Sequence, residues 1–245
     1  MTKKMLLYAR FPFHLRTIKK ISGAQRLSRW VDFAYEGCSG LIRPFQIRAE
    51  IFQLLKSLEK LTPKVVLEIG TAIGGNLFLF CRMAAEDACI ISIDLPGGRY
   101  GEGYPLWRAP LYKMFPAKNQ KLHLIRADSH KVSTLQEVKR ILNDQKIDFL
   151  FIDGDHTYEG VKQDFEMYQP LVKNGGLIAF HDVVPHPEHY QCGVDRFWHE
   201  IKPRYDGEEI VNYCKQQWAG IGVIRNEIFS KAPGCRALGM GGCGQ

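Results

Sequence analysis

The chain has 245 residues, 45% of them hydrophobic and 24% charged, with a formal net charge of +7 at pH 7. These proportions are ordinary for a globular protein, and the length suits one α/β domain with extensions. No apolar run approaches the roughly 18 residues of a membrane span, and the N-terminus is too broken by Arg, Lys and Pro to serve as a signal peptide.

The positive charge sits at the N-terminus. Residues 1–31 carry Lys3, Lys4, Arg10, Arg16, Lys19, Lys20, Arg26 and Arg29 and no acid. Interleaved with Phe11, Phe13, Ile18, Ile21 and Leu27, these describe an amphipathic basic arm over residues 1–45. Its charge suits an anionic membrane surface, nucleic acid or an acidic substrate. A solvated arm, or a helix packed on a second copy in a homo-oligomer, accounts for it more simply. Seven cysteines without regular spacing or a Cys-x-x-Cys pair read as free thiols in a reducing compartment and argue against a structural zinc. A cytoplasmic protein is expected.

Residues 46–60 show helical apolar spacing at Ile47, Ile51, Leu54, Leu55 and Leu58, and Pro63 ends that helix. The run 65–67 is short, apolar and β-branched, as a strand buried on both faces should be. It leads into Glu68-Ile69-Gly70-Thr71-Ala72-Ile73-Gly74-Gly75 and a helix over about 76–85. Gly70 supplies a turn that a Cβ would hinder. Gly74 and Gly75 let a ligand and the next helix approach the main chain, and the helix N–H groups point back at the turn. This is a nucleotide-type site at the carboxyl end of a strand. Ala72 breaks the Gly-x-Gly-x-x-Gly dinucleotide fingerprint.

A second strand, 88–94, ends on Asp94, where a carboxylate can bond the two hydroxyls of a ribose or simply cap a loop. The Gly/Pro-rich loop that follows reads as a lid over the ligand face, with Tyr100, Tyr104 and Trp107 available to a substrate. A third strand, 122–126, leads to Asp128 and Ser129. These can meet an adenine amino group, and Ser129 can cap the helix over 131–143. A fourth strand, 147–153, delivers Asp153-Gly154-Asp155-His156. A helix over 158–171 closes at a turn over 173–176. A fifth strand, 177–180, ends in His181-Asp182. A helix at 197–201 and two strands, 208–214 and 221–225, complete the pattern, and residues 229–245 read as a disordered tail. Alternating strands and helices predict a doubly wound parallel sheet over 46–228, with Glu68, Asp94, Asp128, Asp153 and His181/Asp182 along one edge.

Taken together, Leu67-Glu68-Ile69-Gly70-Thr71, Ser92-Ile93-Asp94-Leu95-Pro96, Ala127-Asp128-Ser129-His130, Phe151-Ile152-Asp153-Gly154-Asp155-His156 and Gly175-Gly176-Leu177-Ile178-Ala179-Phe180-His181-Asp182 resemble one bacterial branch of the class I methyltransferases, which bind S-adenosylmethionine (SAM). Relatives of that branch are often labelled by similarity to cephalosporin hydroxylases. The resemblance covers about residues 46–225. It implies a Rossmann-like seven-stranded sheet ending in an antiparallel hairpin, with a helical N-terminal extension. It implies SAM contacts at Glu68, Gly70, Thr71, Gly74, Gly75, Asp94, Asp128 and Ser129. By similarity to catechol-type O-methyltransferases, Asp153, His181 and Asp182 would hold a divalent cation, Mg²⁺ or Mn²⁺, and His156 would be the general base beside Asp153. Two departures stand out: histidine occupies the usual carboxylate place at 181 and the usual lysine place at 156. A His/Asp/Asp set suits Mn²⁺, Fe²⁺ or Zn²⁺ better than Mg²⁺.

The expected function is O-methylation of a small-molecule or sugar hydroxyl. A nucleic-acid methyltransferase using the basic arm is the alternative, though no Asn-Pro-Pro-Tyr type motif or RNA module supports it. A SAM-binding scaffold without activity is the second alternative. Residues 184–192, including His186, His189 and Tyr190, are expected to shape the acceptor pocket together with Arg108 and the lid.

Overall fold

The computed structural model describes residues 17–18, 26–96, 103–117, 119–205 and 207–227. Most of the basic arm, Tyr100 at the tip of the expected lid and the tail over 229–245 lie outside the described residues.

The seven strands are β1 (Val65–Ile69), β2 (Cys89–Asp94), β3 (Lys121–Arg126), β4 (Ile147–Ile152), β5 (Val172–His181), β6 (Gly207–Ile210) and β7 (Ile221–Arg225). They form one sheet in the order β3-β2-β1-β4-β5-β7-β6. The first five run parallel and β7 is antiparallel to both of its neighbours, so the expected doubly wound sheet with a terminal hairpin is borne out. The order reverses between β1 and β4, the place where open α/β sheets bind ligands outside their carboxyl ends. All five residues of β1 are buried, which explains its unalternating apolar run.

Helices cover both faces. On one side lie α1 (Leu27–Glu36), α2 (Arg48–Leu61), α3 (Gly75–Met83) and the short α4 (Ala109–Tyr112). They pack Leu54, Leu58, Phe78, Phe80 and Leu111 into one core with Phe149 and Phe151 of β4. On the other side lie α5 (Val132–Leu142), α6 (Tyr158–Tyr168) and α7 (Val194–Ile201). They pack Val138, Phe165, Phe197 and Trp198 against Leu150 and Ile152. The period-2 alternation along β4 thus feeds two cores. Residues 27–42 join the first core through Val31, Ala34, Tyr35, Leu41 and Ile42, so the described N-terminal helix is packed on the domain. Among the described residues no helix is long and apolar enough to cross a membrane.

Three local expectations are corrected. Residues 173–176 are not a helix-ending turn: α6 stops at Tyr168, a 3-10 turn covers Gln169–Leu171, and β5 begins at Val172. Asn226 draws this stretch into the sheet, donating from Nδ2 to the Val172 carbonyl at 2.9 Å and from its amide to Gly176 at 2.8 Å. Ser129 does not cap α5: Lys131 holds that position, with no side-chain cap. The strand expected over 208–214 ends at Ile210. Beyond it the chain is captured by buried Glu50 of α2, whose carboxylate accepts from the Asn212 amide at 3.0 Å, Gln216 Nε2 at 2.6 Å and the Gly220 amide at 3.0 Å. Glu50→Ala leaves the Gly220 amide without its acceptor and takes one of two acceptors from Asn212 and Gln216, and is expected to cost about 2–3 kcal/mol in urea unfolding. A loss under about 1 kcal/mol would show that the segment is anchored elsewhere.

Candidate active site

The turn after β1 is built by backbone conformation. Gly70 has φ +94° and Gly74 φ +86°. A Cβ on Gly70 would lie 2.0 Å from the Asp153 carbonyl oxygen, one on Gly74 2.5 Å from the Tyr112 ring, and one on Gly75 2.3 Å from the Ile42 carbonyl oxygen. The close approach expected at Gly74 and Gly75 is therefore made here by α4 and by the segment after α1. Ala72, non-glycine yet at φ +46°, is held by two bonds. Its amide donates to Asp94 Oδ2 at 2.9 Å, and its carbonyl accepts from Tyr112 Oη at 2.8 Å. Such a conformation persists only where its surroundings enforce it.

Asp94 stands half-buried at the end of β2. Burial pushes its carboxyl up to about 6, against amide hydrogen bonds from Ala72, Leu95 and Thr71. Glu68 and Thr71 are buried beneath the turn. Ser92, the register partner of Glu68, donates to Glu68 Oε2 at 2.7 Å, and Thr71 donates in turn to Ser92 Oγ. Burial pushes the Glu68 carboxyl well above the ordinary glutamate range. Asp128 accepts the His130 amide at 2.9 Å through Oδ1. Ser129 accepts from Tyr168 Oη at 2.7 Å through its carbonyl.

Across the switch point, the ends of β4 and β5 bring Asp153, His156, His181, Asp182 and His186 together. His181 Nδ1 lies 3.1 Å from Asp153 Oδ1 and 3.2 Å from Asp182 Oδ1. His156 spans the two acids, with Nε2 3.4 Å from Asp153 Oδ1 and Nδ1 2.9 Å from Asp182 Oδ2. Asp182 is itself at φ +64°. Burial alone would neutralise these groups, yet each holds its neighbour in the charged form. His181 and His156 keep Asp153 below the ordinary carboxylate range, and His181, His156 and His186 keep Asp182 well below it. Burial opposes the charge on His181, but Asp182 and Asp153 push it up to about 10. His156 is likewise raised well above the ordinary histidine range by Asp153 and Asp182, against burial. The Nε2 of His181 is buried without a hydrogen-bond partner among the described residues. Asp153, His181 and Asp182 each offer a ligand atom within 4.8 Å of the others. Two carboxylates facing imidazoles at these distances fit a divalent ion, and the nitrogen favours Mn²⁺ or Zn²⁺ over Mg²⁺.

Sequence reasoning missed Gln46. It sits just ahead of α2, and its Nε2 donates to Asp153 Oδ2 at 2.7 Å while its Oε1 accepts from Asn76 Nδ2 at 2.7 Å. Tyr35 Oη holds its carbonyl at 2.7 Å. A glutamine at a helix start carries no signal in sequence; only the tertiary fold sets it against an acid. Tyr104 corrects the lid reading. It is 2% exposed, with its ring 4.8 Å from that of Tyr112, and so is not open to a substrate. Arg108 instead ties the loop down, donating to the carbonyls of Leu41 at 2.8 Å and Ile73 at 3.3 Å. Tyr190 stays exposed, its ring 4.3 Å from that of His189.

Comparison with known proteins agrees with this layout. A family model described as a methyltransferase domain matches residues 67–183, from β1 to just past Asp182. Protein R132 of Acanthamoeba polyphaga mimivirus is 30% identical over 151 residues, covering 57% of this chain and 61% of its own. Tapetum-specific methyltransferase 1 of Arabidopsis thaliana is 29% identical over 119 residues, covering 48% and 46%. The chain spans 15%, 61% and 46% of the length of three curated relatives it matches. Among solved structures, the O-methyltransferase TomG of Streptomyces achromogenes, in complex with SAM, superposes with a TM-score of 0.54 at 17% identity, covering 82% of this chain and 89% of its own. Residues 67–183 thus match a methyltransferase domain, and the chain shares its fold with that SAM-bound O-methyltransferase.

Proposed function

We propose that the protein transfers a methyl group from SAM to a hydroxyl of a small molecule or sugar. The observation that carries this is the adjacency of two differently built half-sites at one sheet edge. The Asp94 turn lies on one side of β1 and the Asp153/His156/His181/Asp182 cluster on the other. Gly70 lies against the Asp153 carbonyl, so the two adjoin.

Asp94 supplies the acceptor for a ribose diol and Asp128 one for an adenine amino group, which fits SAM as the occupant of the first half-site. SAM, when bound, supplies an electrophilic methyl group on sulfur. Holding an oxygen nucleophile opposite that group is worth about 7–11 kcal/mol. In the second half-site Asp153, His181 and Asp182 would hold a divalent ion, which lowers the pKa of an adjoining hydroxyl. His156 is the base in this reading. Its two nitrogens now face Asp153 and Asp182, so it accepts a proton only when those carboxylates are otherwise engaged.

The test begins with calorimetric titration of S-adenosylhomocysteine (SAH) into wild type and Asp94→Ala. Losing two charge-assisted hydrogen bonds of about 1.5 kcal/mol each weakens binding about 100-fold. Because the Asp94 carboxyl titrates at about 6, it is ionised above that pH and protonated below it. Wild-type affinity is therefore expected to fall by up to about tenfold per pH unit below that point, a slope that Asp94→Asn removes. Equal binding by wild type and Asp94→Ala would remove Asp94 from the cofactor site. A screen of hydroxyl acceptors with Mn²⁺, Mg²⁺ or chelator then reads turnover; SAH binding without turnover on any acceptor would favour a scaffold.

A further inference from the structure

The loop that leaves β5 carries a donor set of which the methyl-transfer reading uses only Asp182. Asp182, His186 and Cys192 each place one ligand atom within 4.8 Å of the others. His186 Nε2 lies 3.2 Å from Asp182 Oδ1. Two backbone contacts define the state of that imidazole. Its Nδ1 is 2.7 Å from the Val184 carbonyl oxygen, which can only accept, so Nδ1 carries the proton. The Ala219 amide, which can only donate, points at Nε2 from 3.3 Å. Nε2 therefore carries the ring's lone pair, with the Ala219 amide and Asp182 Oδ1 both beside it.

An Nε2 lone pair 3.2 Å from a carboxylate oxygen favours a positive charge beside both. A metal ion would take the place that the Ala219 N–H now holds at Nε2. A cation satisfies carboxylate, imidazole and thiol together. A hydrogen bond from the distal ring nitrogen to a carbonyl is the usual support of a metal-bound histidine. The loop is also fixed in place. Pro185 and Pro187 flank His186, Gln191 turns the chain at φ +52°, and the Gly193 amide donates to the His156 carbonyl at 2.8 Å. Bond lengths of about 2.0–2.3 Å separate tetrahedral ligand atoms by about 3.3–3.7 Å, which this cluster reaches with small side-chain movements.

We propose that Asp182, His186 and Cys192 form a three-ligand site for a borderline-soft divalent ion of the zinc type, with one coordination position left open. Thiolate and imidazole select Zn²⁺ or Co²⁺ over Mg²⁺, and three protein ligands with a free fourth position are the pattern of a reactive rather than a structural zinc. The site shares Asp182 with the Asp153/His181 set. Asp182 Oδ1 faces both His181 and His186 at 3.2 Å, so the two sets compete for one oxygen. The proposal does not depend on methyl transfer, because its readout is coordination.

The test is Co²⁺ titration of the chelator-treated full chain by absorption spectroscopy. Wild type is expected to show a thiolate-to-cobalt charge-transfer band in the near ultraviolet beside tetrahedral d–d bands, all erased by Zn²⁺. Cys192→Ser loses the charge-transfer band, Cys214→Ser keeps it, and His186→Gln weakens Co²⁺ binding about tenfold or more. Zn²⁺ is further expected to protect Cys192 of the wild-type chain from alkylation, read by mass spectrometry, which needs no variant to fold. Three outcomes would overturn the site: d–d bands without a thiolate band, a thiolate band that survives Cys192→Ser, or alkylation of Cys192 indifferent to Zn²⁺. The first would assign the ion to Asp153, His181 and Asp182 instead.

Discussion

Asp153→Asn is expected to slow methyl transfer by about two to four orders of magnitude while leaving SAH affinity within a few-fold of wild type. The size follows from losing a group that carries negative charge next to His156, the base in the proposed reaction, the range typical of removing acid–base machinery. Its selectivity follows from geometry. Asp153 contacts Gln46, His156 and His181, all on the cluster side of β1, whereas Asp94 bonds the turn on the other side. Asparagine keeps the shape and the Gln46 contact through its carbonyl oxygen but leaves two imidazoles without their anion. Truncation to alanine would in addition unpair buried charge, a change worth about 3–5 kcal/mol of stability, so the isostere is the informative variant. Single-turnover rates with any acceptor found in the hydroxyl screen, beside SAH calorimetry, read both quantities. Parallel loss of rate and of SAH affinity would move Asp153 into the cofactor site. An unchanged rate would take the cluster out of the reaction.

Gly70→Ala is expected to destabilise the fold by about 3 kcal/mol or more. Two terms add: about 1–2 kcal/mol for an L-residue in the left-handed region, and about 1–3 kcal/mol for overpacking. The overpacking is against backbone, since the new methyl would sit 2.0 Å from the Asp153 carbonyl oxygen, and a peptide group at the end of a central strand cannot step aside as a side chain does. Urea unfolding of the variant checks the figure. A loss under about 1 kcal/mol would mean that the turn relaxes freely and that the spacing of the two half-sites is not fixed by this contact.

The parallel sheet was legible because β1, β2 and β4 are apolar runs, each ending on a polar group and spaced by helical patterns. The strand-end acids were legible for the same reason: parallel strands in one sheet align their carboxyl ends, so Asp94, Asp153 and Asp182 had to share an edge. Long-range hydrogen bonding was not legible. Gln46 and Glu50 read as positions in an amphipathic helix, and nothing local reveals that one meets Asp153 and the other gathers residues 212–220. The lid reading failed at Tyr104 because a Gly/Pro-rich context says that a loop is irregular, not that its aromatic rings face outward. Cys192 was passed over because the thiols were searched for sequence spacing. Its neighbours His186 and Asp182 come within reach only after the chain turns at Gln191.

The reach of Glu50 also bears on how the chain acquires its shape as it is made. Its three partners lie 162, 166 and 170 residues downstream. While a ribosome extends the chain, α2 carries an acid destined for burial whose hydrogen-bond donors do not yet exist, and contacts of such long separation close late. A product truncated between His181 and Asn212 retains β1 to β5 but leaves that carboxylate without any of these three donors. The last strands thus act as a completeness check, and a shortened product is left open to quality-control proteases.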